Sequence, residues 1–134
     1  MKISSKGRYA VRILVEIAWH NDFLSVADIS KSQDISIKYV EKIITYLVKA
    51  KLIESMRGTK GGYKLSQPAE EITIYQILLA TGDTPKISSC STNKCNRIDI
   101  CPTANCWANL TNLINDYLKS ITLKDLMKPN TKID

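Results

Sequence analysis

The chain has 134 residues, 44% hydrophobic and 24% charged, which suits one domain with a real core and excludes disorder and collagen-like repeats. Its net charge of +6 lies in the first half: residues 1–66 hold twelve Lys or Arg against six Asp or Glu, while the remainder is balanced. Apolar runs stop at four or five residues and no apolar signal core follows the basic N-terminus, so a membrane protein is excluded and the expected compartment is the cytoplasm. A single histidine leaves little basis for His-based metal sites or His-assisted nucleophiles.

Residues 4–20 predict a helix, with Tyr9, Ile13, Ile17 and Leu14, Ala18 recurring at three- and four-residue spacing. Ser25-Val26-Ala27-Asp28 reads as a cap and a short helix ending near residues 31–33. Ser36 is the next cap, and the steps 37, 40, 44, 47 lay an apolar stripe (Ile37, Val40, Ile44, Leu47) along a helix over 37–51. Two extended runs around Gly58-Thr59-Lys60-Gly61-Gly62 predict a β-hairpin. Thr73 and Gln76 have capping-box spacing for a helix over about 74–81. Residues 82–101 read as a loop, of a length that in a compact domain points to function. Pro102 suits the first turn of a last long helix, whose Trp107, Leu110, Ile114, Tyr117 and Ile121 follow a heptad-like seam. Thr122 is a further possible cap, and Pro129 is expected to end the ordered part.

Two short helices, a tight turn and a basic hairpin predict a mostly α fold of winged helix-turn-helix type. The divisions expected are a DNA-binding unit at 1–81, a cysteine-containing sensor loop at 82–101, and a dimerisation helix and tail at 102–134. The second helix of the pair would enter the major groove of double-stranded DNA, where donors and acceptors on base edges distinguish sequence. Ser36, Lys38, Tyr39, Glu41 and Lys42 occupy its first turns. Glu41 can accept from a cytosine amino group, while Lys38 and Lys42 can hold phosphate or guanine. Arg57 and Lys60, set among Gly58 and Gly61, form a basic tip suited to a narrow minor groove. The competing reading is a helical bundle with a basic solvated face; a phosphate loop is excluded by the missing Gly-Lys-Ser/Thr ending.

All four cysteines, Cys90, Cys95, Cys101 and Cys106, fall within 17 residues with spacing C-x4-C-x5-C-x4-C. In a reducing compartment such grouping points to metal or redox chemistry rather than structural disulfides. An iron–sulfur cluster, a zinc ion and a reversible thiol switch all stay open, though the close CxxC pairs of zinc ribbons are missing. An electron or cluster carrier with a basic docking surface is the alternative outside DNA binding. No catalytic constellation stands out, so an enzyme is not expected.

The stretches MKISSKGRYAV (1–11), VADISKSQDISIKYVEKI (26–43), RGTKGGYKLS (57–66), CPTANCW (101–107) and SITLKDLM (120–127), with the cysteine loop, resemble the winged-helix regulators typified by the iron–sulfur cluster regulator (IscR type). The resemblance spans nearly the whole chain. It implies a homodimeric transcription regulator, paired through the helix at about 102–121, that binds partly palindromic promoter sites. It carries DNA contacts onto Ser36, Tyr39, Glu41, Arg57 and the glycines beside it, and cluster ligands onto Cys90, Cys95 and Cys101, with a two-iron two-sulfur cluster favoured. Lys38, Lys42 and Lys60 are added from position alone. Two departures stand out: the first cysteine gap is one residue short, and the family's histidine ligand is replaced by Ala104. Cys106 is the chemical substitute, two positions later, and serves only if the helix begins late or frays at Pro102. His20 belongs to the first helix.

Overall fold

The computed structural model describes residues 2–20, 22–84, 86–88, 90 and 95–127. In chain order the elements are α1 (Ser5–Trp19), α2 (Val26–Gln33), α3 (Ile37–Lys49), strands β1 (Ile53–Met56) and β2 (Gly62–Leu65), a 3-10 turn (Ala69–Glu71), α4 (Ile74–Ala80), α5 (Ala104–Ser120) and α6 (Leu123–Leu126). The expected ending at Pro129 lies outside the described residues.

Side-chain caps set the helix starts. Ser4, Ser25, Ser36, Thr73 and Thr122 each accept a backbone N–H from the first turn, filling donors with no partner inside the helix. At Thr73–Gln76 and Thr122–Asp125 the return bond is also made, giving full capping boxes. Between α2 and α3, Asp34 takes a left-handed conformation with φ 54° and turns the chain in one residue.

The apolar faces of α1, α2 and α3 meet in one core around Ile13, Leu14, Ile17, Ile29, Ile43 and Leu47, all essentially without exposed surface. The hairpin is antiparallel, pairing Ile53 with Leu65 and Met56 with Gly62, and Leu24 adds a bridge to Tyr63 on its outer edge. The later elements close the same core. Leu123 is fully buried in it, and its N–H donates to Ile72 O at 2.9 Å. Burying a leucine in full contributes about 2 kcal/mol.

Two sequence expectations are corrected. Ile37 is half exposed rather than part of the buried stripe, because the first residue of α3 projects past the edge of the core. Of the expected seam on α5, Trp107, Leu110 and Tyr117 are exposed and Ile114 is half-buried instead, while Cys106 and Leu113 join the exposed row. Ala104, Thr111 and Leu118 form the inward face, since α4 lies on that side. Among the described residues no helix is long and apolar enough to cross a membrane.

Candidate nucleic-acid interface and cysteine loop

On α3 the buried residues are Val40, Ile43, Ile44 and Leu47. At 100° per residue, Lys38, Glu41, Lys42 and Thr45 then fall together on the opposite side, and all four are exposed. Ser36 is exposed and spends its hydroxyl oxygen as an acceptor for Tyr39 N–H at 3.2 Å. Tyr39 is half-buried and stands edge-on to Tyr9 of α1, with ring centroids 5.7 Å apart. Tyr46 is half-buried beneath the Lys6 ammonium, 4.4 Å from its centroid. Ile37, which sequence periodicity assigned to the core, presents an exposed apolar side chain beside Lys38. Its position one residue after a serine cap was the signal that it sits at the helix tip.

Arg57, Gly58 and Lys60 are exposed at the hairpin turn, and Gly61 is partly covered. Gly58 has φ +122°, a conformation that side chains resist. Gly61 is required for space: an added Cβ would overlap Met56 O. Gly61 thus shapes the turn, beyond any part in letting DNA approach.

Of the cysteine loop, the segment 95–101 is a run of tight turns, with Ile98 N–H donating to Cys95 O at 3.2 Å and Cys101 N–H to Arg97 O at 2.8 Å. Cys90, Cys95 and Cys101 are half-buried and Cys106 is exposed, none of the four paired in a disulfide. Cys101 lies just before α5, its sulfur 3.2 Å from Thr103 Oγ1. Hydrogen bonds from the Thr103 side chain, then from the backbone of Thr103 and Ala104, hold its thiol below the ordinary value, outweighing a small opposing effect of burial.

The donor chemistry of Cys90, Cys95 and Cys101 fits a thiophilic group, and Cys101 is held toward the thiolate that such a group requires. Among the described residues no three Cys, His, Asp or Glu side chains gather closely enough to hold a metal. Helix α5 begins at Ala104, two residues later than Pro102, so the condition for Cys106 to approach the loop is met. Even so, Ala104 is buried and Cys106, two positions on, faces the opposite way with the exposed row.

A helix-turn-helix with a hairpin wing, a basic outer face on its second helix and a thiol-bearing loop before a long helix define a DNA-binding transcription regulator. The pattern of the Rrf2 family, iron-dependent transcriptional regulators, matches residues 3–129, and the chain belongs to that family, in its IscR-type branch. It is 37% identical to the HTH-type transcriptional regulator IscR of Vibrio campbellii, over the whole of this chain and 82% of the relative. CymR, the global cysteine regulator of B. subtilis, superposes with a TM-score of 0.81 at 27% identity, over 98% of this chain and 99% of that one. T. potens IscR superposes with a TM-score of 0.76 at 30% identity, covering 95% and 86%. The chain is therefore a regulator rather than an enzyme.

Proposed function

We propose that two copies of this chain bind a partly palindromic promoter duplex in the cytoplasm and that the cysteine loop makes binding responsive to an iron–sulfur cluster. The observation that carries the DNA half is the separation of α3 into a buried apolar side and an outer side bearing Lys38, Glu41, Lys42 and Thr45. In the major groove Glu41 accepts from a base amino group, Lys38 and Lys42 hold phosphates, and Ile37 meets a thymine methyl. Ser36 and Tyr39 lie at the same end. Arg57 and Lys60 enter the minor groove, with Gly58 and Gly61 shaping the tip. The exposed row Leu110, Leu113 and Tyr117 is the face offered to the second copy.

Cys90, Cys95 and Cys101 would hold the cluster, of the two-iron two-sulfur type that the family resemblance favours. When bound it supplies a group whose charge and occupancy respond to iron and oxidants. The loop joins α4 to α5, so a change in it bears on the spacing of two α3 helices across a dimer. A thiol switch is the second reading, favoured by the depressed Cys101 thiol. Anaerobic purification with iron, sulfide and zinc assays separates the two. Salt-dependent, sequence-selective duplex binding tests the DNA half independently.

A further inference from the structure

Glu16 keeps only 8% of its surface exposed, and neither the outer face of α3 nor the cysteine loop uses it. A buried carboxylate is costly unless its oxygens are filled. Here the Ser32 hydroxyl donates to Oε1 at 2.7 Å and the Gln33 amide to Oε2 at 3.0 Å, with His20 Nε2 3.5 Å from Oε1. The other end of the same amide is also held: Gln33 Oε1 accepts from Arg12 Nε at 3.1 Å, and an Arg12 terminal N–H donates to the Gln33 backbone carbonyl. Arg12 and Glu16 lie one turn apart on α1, so one face of that helix grips both ends of one side chain.

The gripped residue is the last of α2. The left-handed Asp34 follows, then Ile35, whose carbonyl accepts from the Ser30 hydroxyl at 2.5 Å, then the α3 cap Ser36. Only three residues separate the clamp from the first residue of α3. A second connection runs from the same clamp. The Arg12 guanidinium sits 5.1 Å over the Tyr9 ring, and Tyr9 meets Tyr39 of α3. Apolar side chains would join α1 to α2 at lower desolvation cost, but a carboxylate, an amide and a guanidinium in series accept one geometry.

We infer that Glu16, Gln33 and Arg12 are positioning residues for DNA reading: they fix the angle at which α3 leaves the turn, and hence the register of Glu41 on the bases while Lys38 and Lys42 hold the phosphates. This rests on the reading of α3 as the groove-entering helix. Phosphate contacts tolerate a small tilt of that helix, whereas a directed hydrogen bond from a base edge to Glu41 does not. Loss of the clamp should therefore fall on sequence-selective affinity and spare affinity for arbitrary duplex.

The test uses the full chain, a duplex it selects from a random library, and an unrelated duplex of equal length, by fluorescence anisotropy at fixed salt and well below each variant's melting point. Gln33→Glu sets a second carboxylate against Glu16; selected-duplex affinity is expected to fall about tenfold and unrelated-duplex affinity to stay within about twofold. Combining it with Glu16→Gln exchanges carboxylate and amide across the contact and is expected to bring the ratio back to within about threefold of the starting chain. An unchanged ratio in Gln33→Glu, equal losses on both duplexes, or a double variant no better than the single one overturns the inference. Should Gln33→Glu not fold, Gln33→Met stands in under the same criteria for the ratio. If the unaltered chain selects no duplex, the reading of α3 fails and takes the clamp with it; selection with an unaltered ratio in the variants sinks the clamp alone.

Discussion

Ser4 and Asp83 lie 79 positions apart in sequence, and the Ser4 hydroxyl donates to the Asp83 carboxylate at 2.8 Å. Ser4 is also the cap of α1, accepting from Gly7 N–H, so the carboxylate lies at the positive end of a 15-residue helix. It occupies the space a side chain on residue 7 would need: a Cβ added to Gly7 would overlap it and crowd Leu78. Asp83 stands at the root of the cysteine loop, and α1 packs on α3, so this contact ties the loop to the helix-turn-helix.

Asp83→Ala is expected to destabilise the fold by about 1–2 kcal/mol through the lost bond and helix-end charge. Gly7→Ala, which in an open helix would stabilise by about 1 kcal/mol, is expected to destabilise here and to recover in the Asp83→Ala background. Urea denaturation of the two single variants and the double variant measures the coupling; additive effects would refute it.

Cys106→Ala is expected to leave bound iron and sulfide unchanged, while Cys90→Ala, Cys95→Ala and Cys101→Ala each remove them. The exposed, outward position of Cys106 is the reason. Anaerobic iron and sulfide assays with a visible spectrum decide, and loss of cofactor in Cys106→Ala would restore it to the ligand set.

For the metal-free protein, alkylation of Cys101 is expected to titrate below an ordinary thiol, and Thr103→Val to move the midpoint upward by removing the first cause of the shift. The sign for stability follows. A folded-state thiol pKa lowered below its unfolded value contributes stability present above the unfolded value and lost as pH falls through the folded one. Rate–pH profiles with the other cysteines replaced by serine check the midpoint.

On α3, Lys38→Ala is expected to weaken all duplexes alike and to reduce the salt slope by about one. Glu41→Ala should instead relax selectivity at one base position, by about 1–3 kcal/mol. Ile37→Ala should leave melting within about 0.5 kcal/mol of the parent, unlike Ile44→Ala, which empties a core position and costs about 2–5 kcal/mol. Melting and anisotropy on the same preparations distinguish the four variants.

The helices and hairpin were legible because their signals are local: a serine or threonine cap, a three-and-four spacing, a glycine-rich turn. What escaped depends on what lies across from a residue. Ile37 has the right spacing for the core yet runs past its edge, and Leu113 faces outward only because α4 claims the other side of α5. Glu16 looks like any helix-surface carboxylate until Ser32 and Gln33 are placed against it. The cysteine loop was legible as chemistry but not as geometry, since spacing says which thiols share a segment and not whether they meet.

The burial of Leu123 bears on how the protein is made. Residues 121–126 seal a core whose other walls come from α1 to α4, with Ile74 N–H donating to Ile121 O at 3.0 Å and Trp19 Nε1 to Met127 O at 3.0 Å. A chain growing from its N-terminus therefore exposes an open apolar floor until residues 121–126 clear the ribosome. Leu123 closes the core beneath α1 to α4 just after the long helix ends, so a polypeptide cut before residue 123 is expected to melt earlier than one that includes it.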